Sequence, residues 1–153
     1  LCQPGMRSAV GYLLKPGARE LHGVDVRIMD EEQAWHLNRL NEQNIHIAWD
    51  LPALDLTDRL KEMVKYVKPY KITCYVLIGF NSTVGQDLFR LNVLRELGIT
   101  PFVIPFRDYG NERTPTRYER DLARWANRMW LFKSTSFEDY TPRKGFKCGE
   151  YLK

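Results

Sequence analysis

A chain of 153 residues with 44% apolar residues and 12% aromatics carries enough hydrophobic material for one packed domain, which excludes a disordered polypeptide. No apolar run approaches the roughly 20 residues that cross a bilayer, and the opening LCQPGMRSAVGYLLKPGARE lacks a segment of signal-peptide type. A soluble, cytoplasmic protein with no membrane contact is expected. The net charge of +4 is modest, and much of the excess lies in TPRKGFKCGEYLK, so residues 141–153 are expected as a solvated basic tail, with a nucleic-acid arm as the alternative.

Residues 1–22 show no usable periodicity and contain Pro4, Gly5, Gly11, Pro16 and Gly17, which predicts an irregular N-terminal segment. Val24, Val26 and Ile28 then alternate with polar residues and predict a first strand. Asp30 and Gln33 form a capping-box pattern, opening a helix from about Glu31 to Asn41. IHIAW predicts a second strand ended by Asp50. The spacing of Leu56, Leu60, Met63, Val64 and Val67 predicts a helix that Pro69 stops.

ITCYVLIGF is apolar at successive positions, as expected of a parallel strand covered on both faces. Asn81, Ser82 and Thr83 open a helix bearing Leu88, Leu91, Leu94 and Leu97, closed by Gly98 in the left-handed conformation. PFVIPF predicts a fourth strand, with Pro105 taking its end out of the sheet. Thr116 and Glu119 form a second capping box, opening a helix that runs to about Phe132. The fold predicted is α/β with about four parallel strand-helix units over residues 23–140, either half of an eight-unit (β/α) barrel or a small open sheet.

In both architectures ligands bind beyond the carboxyl ends of the strands. That places Arg27, Met29 and Asp30 after the first strand, Trp49 and Asp50 after the second, Gly79, Phe80, Asn81 and Ser82 after the third, and Arg107, Asp108 and Tyr109 after the fourth. Asp30, Asn81, Ser82 and Thr83 also suit helix capping, and Gly79 suits either a tight turn or close approach to a ligand. Asp50 precedes Leu51 and Pro52 rather than a helix start, which favours a ligand-contacting role.

The cysteines, Cys2, Cys74 and Cys148, fit neither a disulfide framework nor a metal knuckle, and Cys74 is expected in the core. His22, His36 and His46 share no ligand spacing, so no metal site is predicted. No nucleophile elbow, Walker loop or dinucleotide-binding glycine run is present. Arg113, Arg117, Arg120, Arg124 and Arg128 recur at spacings of three and four with Tyr118, Trp125 and Trp130 interleaved, which reads as a solvated helix face or as a polyanion-binding stripe.

With its strand ends placed, the chain resembles the second half of the barrel of radical S-adenosylmethionine (radical SAM) enzymes, from about Gly23 to Tyr140. GVDVRIMDEEQAWHLNRL looks like that family's third strand and following helix, and IHIAWD like its fourth strand, with Asp50 at the ribose-contacting place. YVLIGFNSTVGQD is similar to the fifth strand and its G-x-I-x-G-x-x-E motif. There Gly79 matches the second glycine and Leu77 the aliphatic, whereas Tyr75 and Ser82 replace the first glycine and the glutamate. PFVIPFRDY resembles the sixth strand, and RDLARWANRMWLFKSTSFEDY the Trp-Asn-containing helix that ends the barrel in some members.

The resemblance implies a parent enzyme that reductively cleaves S-adenosylmethionine with a 4Fe-4S cluster, giving a 5'-deoxyadenosyl radical that abstracts hydrogen from a substrate. It assigns ribose to Asp50, the nucleoside or methionine part to Gly79 and Asn81, the adenine to the backbone of Ile104, Pro105 and Phe106, and the cofactor carboxylate to Arg27. The C-x-x-x-C-x-x-C loop that holds such a cluster is not in this sequence. The chain alone is therefore expected to be inactive and to hold neither cofactor tightly, with a preceding barrel half or a partner chain covering its open sheet. The alternative is a non-catalytic α/β domain that binds nucleic acid or another polyanion through the arginine-rich helix. A small flavodoxin-like enzyme would need a fifth parallel strand, for which residues 1–22 are poorly suited.

Overall fold

The computed structural model describes residues 23–39 and 44–153. The expected irregular segment 1–22, with Cys2 and His22, and the predicted helix end at Leu40 and Asn41 lie outside the described residues. The elements are α1 (Glu31–Arg39), β1 (Ile45–Ala48), α2 (Thr57–Tyr66), β2 (Ile72–Ile78), α3 (Val84–Leu97), β3 (Thr100–Pro105), α4 (Arg117–Ala126) and α5 (Met129–Ser134). The three strands pair in parallel in the order β1-β2-β3, with Ala48 opposite Tyr75 and Leu77 opposite Ile104.

Local chemistry sets the helix ends. The Asp30 carboxylate accepts from the Gln33 amide at 2.8 Å, and the Gln33 side chain accepts from the Asp30 amide at 3.1 Å. Thr83 with Gln86, and Thr116 with Glu119, close complete capping boxes on α3 and α4. Gly98 ends α3 at a φ of 73°, where its missing Cβ removes the left-handed penalty.

Burial alternates along the sheet. Ile45, Ile47, Ile72, Cys74, Val76, Ile78 and Val103 are buried on one face, where they join Leu60, Met63, Leu91, Leu94 and Trp125 in a continuous core. On the other face Ala48, Phe102 and Ile104 are exposed and His46, Thr73, Tyr75 and Leu77 are half-buried. A right-handed crossover puts each connecting helix on the same side when the strand order does not reverse. The sequential order here therefore stacks the helices on one face and leaves the other open.

The two outer edges differ. The Asn127 side chain donates to the Val103 carbonyl at 3.0 Å and accepts from the Val103 amide at 2.7 Å, so a single amide group takes the place of a neighbouring strand beside β3. At the outer edge of β1 the Val24 amide donates to the His46 carbonyl at 2.7 Å.

Three expectations are corrected. Val24 lies outside any strand and residues 25–28 form a turn, so the described residues hold three strand-helix units where about four were predicted. The Asp25 carboxylate accepts from both the Arg27 amide and its guanidinium, and the Asp25 carbonyl from the Ile28 amide, a local set of bonds that competes with sheet pairing. The last long helix is two, broken at Asn127 and Arg128, because Asn127 turns to the edge of β3. Residues 141–153 keep Lys144, Lys147 and Lys153 exposed, as expected of a solvated basic segment, but part of the segment is anchored to the core. Arg143 and the Tyr151 hydroxyl each donate to the buried Asp121 carboxylate at 2.7 Å, and Cys148 is fully buried.

Candidate functional site

The open face and the carboxyl ends of its strands form the candidate site. Strand alternation puts His46, Ala48 and Asp50 on the same face as Thr73, Tyr75, Leu77 and Gly79 and as Phe102, Ile104 and Phe106, with Ala48 opposite Tyr75 and Tyr75 opposite Phe102. His46 stacks on Tyr75 at 5.4 Å, and Tyr75 meets Phe102 at 5.2 Å, so a row of rings crosses all three strands. Nearer the rim, Phe80 and Phe106 pair at 4.7 Å. Asp50 is exposed, and one carboxylate oxygen accepts from the Leu77 amide at 3.2 Å, continuing the ladder from the Trp49 amide to the Tyr75 carbonyl. Its other oxygen has no donor among the described residues.

Two arginines fix the strand ends. Arg90, on the buried side of α3, donates to the Trp49 carbonyl at 2.5 Å, the Leu77 carbonyl at 2.9 Å and the Asp87 carboxylate at 2.7 Å. It thereby ties the end of β1 to the end of β2. Arg113 repeats this between β2 and β3, donating to the Gly79 carbonyl at 3.0 Å, the Phe106 carbonyl at 2.6 Å and Glu119 at 2.7 Å. Burial pushes the Asp87 carboxyl up, against hydrogen bonds from Ser82 and Arg90 that lower it.

Asp50, Gly79, Ile104 and Phe106 come together on this face. Pro105 belongs to the covered face by register, paired with Ile78. Asn81 sits at the rim with a φ of 49°, exposed, in the turn where the Ser82 hydroxyl accepts from the Gly79 amide at 3.0 Å. Gly79 has a φ of 73°, and a Cβ there would collide with the Glu119 carboxylate, so its close backbone approach is to the Arg113 and Glu119 pair. Arg27 lies in the turn before α1 and pairs with Asp25 at 2.6 Å, apart from the strand ends. Of the predicted arginine stripe, Arg113 is taken up at the rim, while Arg117, Arg120, Arg124 and Arg128 are exposed.

Asp87 and Arg90 escaped the sequence reading. The available signal was a pair of opposite charges three residues apart on the stripe that carries Leu91 and Leu94.

Cys74 and Cys148 are buried on separate elements, and burial pushes each thiol up to about 12, far from the thiolate form that cluster ligation uses. The cysteines among the described residues do not fit a cluster. No group of three His, Cys, Asp or Glu side chains among the described residues is placed to hold a metal ion. No helix among them is long and apolar enough to cross a membrane. No protein family, curated protein or solved structure matches this chain.

Proposed function

We propose that the chain is one wall of a radical SAM-type (β/α) barrel and offers its open face and rim to the nucleoside of S-adenosylmethionine. The observation that carries this reading is the one-sided sheet: three parallel strands in sequential order, helices on one face, and on the other an apolar, ring-lined surface ending in the half-free Asp50 carboxylate. A surface of that kind suits a covered binding wall. Asp50 would accept from ribose hydroxyls, and the backbone beyond Ile104 would lie against adenine. The remaining strands, from a preceding segment or a partner chain, would join at β1, because Asn127 occupies the outer edge of β3. In this reading the whole protein cleaves adenosylmethionine reductively, and this chain supplies binding alone.

Equilibrium binding of S-adenosylmethionine to the wild type and to Asp50→Ala tests it. The substitution is expected to weaken binding about tenfold or more, the scale of one charge-assisted hydrogen bond, with the thermal midpoint little changed. Equal binding by the two proteins would remove Asp50 from the site.

A second reading, a non-catalytic domain that binds nucleic acid or another polyanion, is favoured by a separate observation. Arg117, Arg120, Arg124 and Arg128 are exposed and make no ion pair with any described residue. Affinity for a polyanion would then fall steeply with salt.

A further inference from the structure

Between the end of α4, the start of α5 and the loop that follows lies a cleft of about 590 Å³. Arg124 and Arg128 line one side of it, and Trp130, Tyr140 and Pro142 contribute apolar surface. Trp130 is 69% exposed, whereas Trp125 nearby is fully buried and donates its indole N–H to the Thr135 carbonyl at 2.9 Å. A tryptophan left this open forgoes the burial that normally stabilises such a residue, and its face remains available to another ring.

The one acid in the cleft, Asp139, is already engaged. It accepts from the Ser136 hydroxyl at 3.0 Å and from Lys147 at 3.4 Å, and those bonds hold its carboxyl below the usual aspartate range. The guanidiniums of Arg124 and Arg128 have no such partner among the described residues. Two unpaired guanidiniums recognise phosphate oxygens, and an open indole face recognises a planar ring. The volume falls in the range of small-ligand pockets.

We infer that this cleft binds a nucleotide unit, with its phosphate on Arg124 and Arg128 and its base stacked on Trp130. The unit is either a free nucleotide or one nucleotide of a single strand, since both present the same chemistry. The inference rests on the polyanion reading and narrows it to one cleft; it does not depend on the adenosylmethionine reading.

The test titrates the chain with AMP, with a 5'-phosphorylated single-stranded oligonucleotide and with inorganic phosphate, following tryptophan fluorescence and calorimetric heat. At least one ring-bearing ligand is expected to bind tenfold or more tightly than inorganic phosphate. Arg124→Gln and Arg128→Gln are each expected to weaken it several-fold, and Trp130→Leu by about 5- to 100-fold. All three positions are exposed, and an unchanged thermal midpoint confirms that the variants fold. Binding of AMP identifies a free-nucleotide site, and binding of the oligonucleotide alone identifies a strand-binding site. Ligand binding no tighter than that of phosphate, or insensitive to all three substitutions, overturns the cleft. Oligonucleotide binding that falls with salt yet ignores Trp130→Leu and the two arginine changes would leave the polyanion reading standing and end this one.

Discussion

Arg90 and Arg113 make nearly the same set of bonds, each joining two strand-end carbonyls to one carboxylate, but in different surroundings. The Arg90 side chain is 1% exposed and its partner Asp87 2%, whereas Arg113 is 33% exposed beside a Glu119 that is 7% exposed. Removing one member of a dry pair strands a charge that water cannot reach, whereas at the wetter pair solvent takes up part of the loss. The β1–β2 end of the rim is therefore the rigid one, and the β2–β3 end, with Gly79 and Phe106, has more freedom to adjust to a ligand.

The largest effect expected is for Arg90→Met, which leaves the Asp87 carboxylate buried without its cationic partner, with the hydrogen bond from Ser82 remaining. About 3 to 5 kcal/mol of stability should be lost, read from urea unfolding. Asp87→Leu added to that variant should recover part of the loss, but not all, because the Trp49 and Leu77 carbonyls still lack their donor. Arg113→Met should cost less, about 1 to 2 kcal/mol, with a loss that shrinks as salt rises. Equal losses at the two positions would break the comparison.

Asn127→Ala should cost about 1 to 2 kcal/mol by freeing the Val103 amide and carbonyl at the edge of β3. Hydrogen exchange at Val103 should quicken without any change at Leu77, which separates edge capping from rim clamping.

The smallest effect is in acid. The Asp108 carboxyl is held below the ordinary value of 3.8, chiefly by the Asn111 side chain and then by the amides of Asn111 and Gly110. A lowered folded value means that the carboxylate stabilises its loop above about pH 3.8, and that this contribution disappears as pH falls through the folded value. Amide exchange at Gly110, Asn111 and Arg113 should therefore accelerate in acid before that at Trp49, whose acceptor is the Tyr75 carbonyl and does not titrate. The reverse order would place the weaker clamp at the β1–β2 end.

Much of this architecture was legible in the sequence where one local signal acted alone. The capping pairs Asp30 with Gln33 and Thr116 with Glu119, the glycine stop at Gly98 and the apolar runs of β2 and β3 all fall where their patterns place them. The alternation at Val24, Val26 and Ile28 failed because it is short and Asp25 offers its backbone a turn instead. The long final helix failed because Asn127, an ordinary surface residue by sequence, spends its side chain on a strand edge distant in the chain.

At the candidate site, period-two alternation was enough to align Asp50, Gly79, Ile104 and Phe106. It could not show that Arg113 belongs to the rim and not to a stripe with Arg117, nor that Arg90 is buried, because both depend on carbonyls from other strands. The basic segment after Tyr140 was legible only in its exposed lysines for a similar reason: Arg143 and Tyr151 are drawn in by Asp121, an acid whose burial is decided by tertiary packing.

The most direct test of the central claim, that the open face and its rim form the wall of an adenosylmethionine site, is an amide chemical-shift map during titration with S-adenosylmethionine. Shifts concentrated at Asp50, Leu77, Gly79, Asn81 and Ile104, with α1 and α2 unmoved, are the predicted result. Shifts confined to α4 and α5, or none at millimolar ligand, would contradict the claim.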